Sequence, residues 1–345
     1  MKKLFKQKLK IVFFIVCAII FLFFIYAIYI PKSPSDSPLV VYTIQKGMNS
    51  KSIAFDLESQ GIINNSLFFR AYVIIFGQWP SLQAGSYDVS PSMSISSIVK
   101  KFVSGDVKKI YITIIEGWNL QDISEYFEKE KLYLKTDFLD LTNPSTSSGQ
   151  GKDWSQDIDF LKDKPKNLTL EGYIFPDTYQ IAFGLTLDKL LETILDNFDK
   201  KLTQELRKEI SLQKKSIFQI ITMASIIEKE VILLEDKKIV AGILWKRINA
   251  GIPLQVDATI NYITGKNDPG VSIKDTTIDS PYNTYKYYGL PKGPISNPGM
   301  DSILAAIYPT KTDYWYYLSA DDTGKTIFSK TLDEHNIAVT KYLRN

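Results

Sequence analysis

Residues 11–30 read IVFFIVCAIIFLFFIYAIYI, an unbroken apolar run with no charge, Gly or Pro. As a helix, about 20 residues rising about 1.5 Å each cover about 30 Å, the thickness of the hydrocarbon layer of a bilayer. A cleaved signal peptide has a shorter apolar core and then a small-x-small cleavage site. Tyr26-Ala27-Ile28-Tyr29-Ile30-Pro31 fits such a site badly. The run is therefore read as an uncleaved transmembrane anchor. Lys2, Lys3, Lys6, Lys8 and Lys10 precede it with no acid among them. The positive-inside rule then predicts a cytoplasmic tail over residues 1–10 and an extracytoplasmic chain beyond Pro31. Tyr26 and Tyr29 suit the outer interface.

The formal charge of +3 becomes −2 once those five lysines are set aside. The rest of the chain is nearly neutral and offers no basic footprint for nucleic acid. The one cysteine, Cys17, lies inside the apolar run. There is thus no disulfide framework and no thiolate metal site. The one histidine is His335. A multi-histidine metal cluster is excluded, and a Ser–His or Cys–His nucleophile pair would have to use that residue.

Residues 31–38 (PKSPSDSP) form a short, stiff, polar linker. An internal repeat follows. Thr43, Ile44, Gly47, Ile53, Leu57, Glu58 and Phe68 recur as Thr113, Ile114, Gly117, Ile123, Phe127, Glu128 and Phe138, at a constant offset of 70. Each copy predicts a strand, a glycine turn and an amphipathic helix. Between the copies, residues 84–87 read as a turn and short strand. Met93, Ile95, Ile98, Val99 and Phe102 make a helical stripe ending near Gly105. Residues 39–108 are therefore expected to form a small α+β module, and residues 109–345 a larger mixed α/β domain. Within the latter, residues 142–167 are polar and rich in Ser, Gly, Asp and Lys, which predicts a mobile surface loop. A helix is expected around residues 187–198, then a long apolar helix, then a second helix stopping at Gly251. The remainder reads as loop-rich. It closes with strands over residues 314–318 and 326–328, a hairpin turn at Asp321–Gly324, and a final helix.

The long apolar helix is predicted over residues 217–231. Ser216 and Gln219 have capping-box spacing. The interior IFQIITMASII is apolar nearly all round, which predicts burial. Glu228 and Glu230 stand near its end, on nearly opposite faces at 100° per residue. Glu230 follows Met223, Ile226 and Ile227 on an apolar stripe. A carboxylate there loses hydration and its pKa rises, which makes a usable proton donor near neutrality. Helix pattern alone reads the two acids as a terminal cluster, solvated or paired with Lys229, Lys237 or Lys238. Asp257, in Pro253-Leu254-Gln255-Val256-Asp257, reads as a second acid or as an Asx cap. The segments SPYNTY (280–285) and GLPKGPISNPG (289–299) are dense in turn residues, tyrosines and amides. They suit sugar binding and ordinary rigid loops alike.

Several motifs occur together in order: LEGYIFPDTY (170–179), ASIIEKE (224–230), PLQVDAT (253–259), SPYNTY, the 289–299 stretch and DEHN (333–336). In that order they resemble the YceG-like endolytic murein transglycosylase family (MltG type), over roughly residues 40–341 plus the anchor. The resemblance implies a LysM-like module at residues 39–108 and a catalytic domain beyond it. It implies that the second Glu of the Glu-Lys-Glu motif, Glu230, is the catalytic acid/base, with no cofactor and no metal. Glu171, Tyr173, Asp177, Glu228, Gln255, Asp257, Tyr282, Asn283, Thr284, Tyr285 and Asn297 are the matching candidate substrate contacts. Ala258 stands where the family usually has Pro, Val256 where Ser or Thr is usual, and Lys292 where Pro is common. The implied reaction cuts peptidoglycan strands after N-acetylmuramic acid without water and leaves 1,6-anhydro ends, beside synthases of the divisome or elongasome. A conventional hydrolase would need a partner acid, for which Asp257, Asp177 and Glu171 are the candidates. A silent wall-binding scaffold is the third alternative.

Overall fold

The computed structural model describes residues 2–33, 37–146, 148–149, 151–266, 271–320 and 325–343. The chain forms two units. One comprises Met1–Ile112 with Gln180–Leu185, the other Thr113–Tyr179 with Thr186–Asn345.

The first unit opens with α1 (Lys2–Tyr29). Its Lys6–Tyr29 stretch is the one helix among the described residues long and apolar enough to cross a membrane. β1 (Val40–Ile44) follows, then α2 (Ser50–Ser59), α3 (Ser66–Ile75), β2 (Gly85–Val89) and α4 (Ile95–Ser104). β1 and β2 pair antiparallel with Tyr42 opposite Tyr87. Helix starts are fixed by side-chain caps from Asn49, Asn65 and Ser94. Each satisfies a backbone N–H that a helix leaves unpaired. Tyr42, Ile53, Leu57, Phe69, Val73, Tyr87, Ile98 and Phe102 fill the core. The aromatic rings pack there at offset or tilted angles, as between Tyr42 and Phe102 at 5.8 Å.

The repeat exists in three dimensions. β1, a turn at Gly47 and the pair α2–α3 are matched by β3 (Lys109–Thr113), a turn at Gly117, α5 (Leu120–Lys129) and α6 (Lys135–Thr142). Gly47 and Gly117 adopt φ of 87° and 80°, a left-handed turn that a side chain would strain. Asn49 and Asn119 cap the helices that follow.

β3 pairs with β4 (Thr178–Ala182). The second unit continues with α7 (Leu187–Lys201), α8 (Gln204–Leu212), α9 (Ile217–Glu230), α10 (Leu234–Asn249), α11 (Asp257–Thr264) and α12 (Met300–Ile307). β5 (Tyr316–Ser319), β6 (Thr326–Ser329) and α13 (Leu332–Tyr342) close it. α9 is central, with α8, α10, α11 and α12 packed around it. β5 and β6 form an antiparallel ribbon carrying α13.

Three features differ from the sequence reading. Residues 142–167 were expected as a polar surface loop, yet Trp154, Phe160 and Leu161 are buried and two 3-10 turns hold them. A few large apolar side chains anchor a segment whose average composition is polar. The tail expected to be mostly loop contains α11 and α12. Both are only eight residues long, about two turns, too short to establish a helical period. The hairpin turn assigned to residues 321–324 lies outside the described residues.

Candidate active site

The site is built on the C-terminal end of α9. Its start is locked by a reciprocal capping box. Ser216 Oγ accepts from Gln219 N at 3.0 Å, and Gln219 Oε1 accepts from Ser216 N at 2.9 Å. Residues 220–227 are all buried, so the helix end is held rigidly by packing. Glu228 and Glu230 leave it towards different partners.

Glu230 is partly buried, and its carboxyl group lies among protein. The Tyr317 hydroxyl of β5 donates to Glu230 Oε2 at 2.9 Å. Loss of hydration pushes the Glu230 carboxyl up to about 7, which the Tyr317 and Ala258 N–H bonds oppose and the Asp257 charge reinforces. Among the described residues, no lysine or arginine lies within ion-pair distance of Glu230, unlike Glu228 with Lys237.

Asp257 is the first residue of α11, and the Tyr285 hydroxyl donates to it. The turn leading into α11 is strained at Gln255, whose φ is 54°. Arg247, on the last turn of α10, braces that turn. It donates to Gln255 Oε1 at 2.7 Å, to Pro253 O at 3.0 Å and to Trp315 O at 3.2 Å. Thr284 joins the SPYNTY loop to the same place. Its carbonyl accepts from Gln255 N at 3.0 Å, and its hydroxyl accepts from Val256 N at 3.1 Å. Thr284 Oγ1 also shares a hydrogen bond with Thr259 Oγ1 at 3.0 Å. Asn283 is fully buried and folds the loop on itself, donating to Thr276 O and Ile278 O and accepting from Tyr285 N.

A second cluster surrounds Glu171. This buried carboxyl accepts from Leu120 N at 3.2 Å, Asn297 Nδ2 at 3.3 Å and the Tyr262 hydroxyl at 3.4 Å. Burial pushes it up to about 8 against those bonds. The Tyr262 ring packs on Tyr282 at 5.1 Å. Asn297 Oδ1 accepts from Ile174 N at 2.8 Å, tying the GLPKGPISNPG loop to the LEGYIFPD segment. A Cβ on Gly172 would approach Pro294 to 2.5 Å, so only glycine permits this contact. Ser225 of α9 holds the same loop, accepting from Ile295 N and receiving the Ser296 hydroxyl on its carbonyl, both at 3.0 Å.

Glu228 is enclosed differently. Its carboxylate meets Lys237 Nζ at 3.0 Å, Ser302 Oγ at 2.7 Å and Gly299 N at 2.9 Å. Among the named candidates, Glu230, Gln255, Asp257, Thr284 and Tyr285 thus converge, with Asn283 beneath them. Glu171, Asn297 and Tyr282 form the second cluster. Glu228 is taken up by protein partners. Asp177 bonds Asn197 at 3.0 Å, with Lys201 at 3.6 Å. Tyr173 is buried among Phe160 and Phe198. Tyr317, Arg247 and Tyr262 were missed. Tyr317 sits in a run of four aromatics whose alternation does not say which ring faces a carboxylate. Arg247 reads as an ordinary basic residue at a helix C-terminus. A cleft of about 650 Å³ in this unit, lined by Leu132, Tyr133 and Lys152 among others, holds none of these groups.

The YceG-like family model matches residues 42–341. The chain is 35% identical over 319 residues to the endolytic murein transglycosylase of Bacillus subtilis, covering 91% of this chain and 87% of that protein. It is 29% identical over 335 residues to the Streptococcus pneumoniae D39 protein of the same name, covering 92% of this chain and 60% of that one. The crystal structure of a yceG-like protein of Listeria monocytogenes superposes with a TM-score of 0.59 at 33% identity, covering 88% of this chain and all of that one. The chain belongs to the YceG-like family.

Proposed function

We propose that this protein is an endolytic murein transglycosylase whose single acid/base is Glu230. The observation that carries this reading is a carboxyl at the end of buried α9, bonded by the Tyr317 hydroxyl and in no ion pair among the described residues, which burial pushes up to about 7. Such a group is protonated often enough at neutral pH to donate, and basic enough once ionised to accept. Glu230 protonates the glycosidic oxygen between N-acetylmuramic acid and the next sugar, and the C1–O bond breaks. The 6-hydroxyl of the muramic sugar then bonds to C1, and Glu230 takes up the hydroxyl proton. No water is consumed, and the group ends as it began. The internal hydroxyl reacts at high effective molarity, so no second carboxylate has to position a nucleophile. Asp257, held by Tyr285, is proposed to face the positive charge that develops at C1, and its charge adds to burial in raising the Glu230 carboxyl. Gln255, Tyr282, Thr284 and Asn297 are proposed to order the substrate loops, and Glu228 to hold α9 against α10 and α12.

The N-terminal helix agrees with a single-pass membrane anchor. With the lysine-rich tail in the cytoplasm, the site meets glycan strands outside the membrane, where synthases extend them, and cutting there ends elongation. The strand–helix–helix–strand order of β1, α2, α3 and β2 supports a LysM-like glycan-binding role for the module.

A hydrolytic reading is favoured by one observation, that the Asp257 charge acts on Glu230. Digestion of purified sacculi separates the two. Transglycosylation gives anhydro-ended fragments, whereas hydrolysis adds the mass of one water. Glu230→Gln is expected to release neither. A wild-type protein releasing no fragment at all leaves only the scaffold reading.

A further inference from the structure

α3 has no polar face. Its inner stripe, Phe69, Tyr72 and Val73, is buried in the core of the module. Its outer stripe, Leu67, Ala71, Ile74 and Ile75, follows helical spacing and is also apolar. Leu67, Ile74, Ile75, Phe76 and Trp79 are each more than half exposed. Arg70 is the one charged residue in SLFFRAYVII. The neighbouring α2 and α4 instead carry exposed lysines on their outer sides, Lys51 and Lys100. A surface helix apolar on both faces has a non-aqueous neighbour.

The apolar face of α3 is continuous with that of α1. Ile28 is buried in the module core, and Phe68 packs against Phe23 at 5.7 Å and Phe24 at 6.0 Å. A cleft of about 540 Å³ is lined jointly by Ile75 and Phe76 and by α1 residues from Cys17 to Tyr29. At about 1.5 Å per residue that stretch of α1 is about 18 Å long, over half of a hydrocarbon layer about 30 Å thick. If α1 spans, residues sharing its outer half share its solvent.

We infer that α3 and the following Phe76–Trp79 turn lie in the outer leaflet beside the anchor, with lipid acyl chains covering Leu67, Ile74, Ile75 and Phe76. This rests on the anchor reading. Trp79 then occupies the headgroup level, where indole rings concentrate. The module is fixed to the bilayer surface and does not swing on a tether, so the height of this unit above the membrane is set by the fold.

The test uses the full chain, with Cys17→Ser, in vesicles of phosphatidylethanolamine and phosphatidylglycerol with or without brominated acyl chains. Single cysteines replacing Ile75, Phe21 or Ser59 carry a bimane fluorophore. Bromolipid should quench the labels at Ile75 and Phe21 strongly and leave that at Ser59 bright. A label at Ile75 quenched by aqueous iodide and untouched by bromolipid, with Phe21 still quenched, overturns the inference alone. Shielding of Ile75 from both quenchers means a protein, a second copy included, covers the face, and overturns it too. A Phe21 label open to water removes the anchor reading and this inference together. Ile74→Cys repeats the measurement, so that a local disturbance at one label does not decide it.

Discussion

Glu228 and Glu230 stand two residues apart at the end of one helix, and both are withdrawn from water. What surrounds them differs. Glu228 has the Lys237 ammonium, a hydroxyl and a backbone N–H, and the side chains of the ion pair are only 8% and 4% exposed. Glu230 has a phenol, one backbone N–H and a neighbouring carboxylate, but no cation. The first arrangement pairs the carboxylate with a cation and two further donors. The second makes charge and neutrality nearly equal in free energy near pH 7. Burial alone therefore does not bring a carboxyl near neutrality; burial without a counter-cation does.

The largest expected effect is on activity. Glu230→Gln should lower kcat by about 10²–10⁴-fold, the usual share of general acid–base catalysis, with the fold retained in circular dichroism. Glu228→Gln, in contrast, removes no proposed acid/base group and should leave far more of the activity of whatever protein folds. Next comes stability. Lys237→Met strands the Glu228 charge and should cost about 3–5 kcal/mol in denaturant unfolding. The Glu171 cluster sharpens the contrast, since its carboxyl, pushed up to about 8, is mainly neutral at pH 7. Glu171→Gln should cost under about 1 kcal/mol. Glu171→Ala, which leaves Leu120 N without its acceptor and Asn297 Nδ2 with Trp118 O alone, should cost about 2–3 kcal/mol.

Smaller effects appear in the pH–rate profile, with opposite signs. The Tyr317 bond favours the ionised Glu230, so Tyr317→Phe should move the Glu230 limb to higher pH. The Asp257 charge disfavours it, so Asp257→Asn should move that limb to lower pH, each by about a unit or less. The smallest effect is thermal. Glu230 has a folded pKa above its unfolded one, so its contribution to stability is fullest below about pH 4.5 and is lost as pH rises through about 7. Glu230→Gln should therefore raise the melting temperature at pH 8 by roughly 2–4 °C, for on the order of 1 kcal/mol, and leave it nearly unchanged at pH 4.

The long apolar N-terminal helix, the repeat, the capping box on Ser216 and the burial of α9 were legible because each depends on local spacing. The apolar stripe drew attention to Glu230, but helix pattern favoured a solvated cluster, and the family resemblance made the choice. What separates Glu228 from Glu230 is tertiary. Lys237 lies nine residues on, among three lysines that spacing alone could have paired with either acid. Tyr317 comes from a strand 87 positions away. The brace from Arg247 to Gln255 was hidden because a positive φ at a non-glycine residue leaves no mark in sequence. α12 escaped notice because eight residues make about two turns, too few to establish a period.

The central claim is most directly tested by titrating Glu230 itself. Protein labelled with ¹³C at glutamate Cδ, compared with Glu230→Gln to assign the resonance, reports the protonation of that one carboxyl. A midpoint near 7 that falls in Asp257→Asn is the predicted result. A midpoint near 4 would contradict it, since Glu230 would then be ionised throughout the neutral range and have no proton to give.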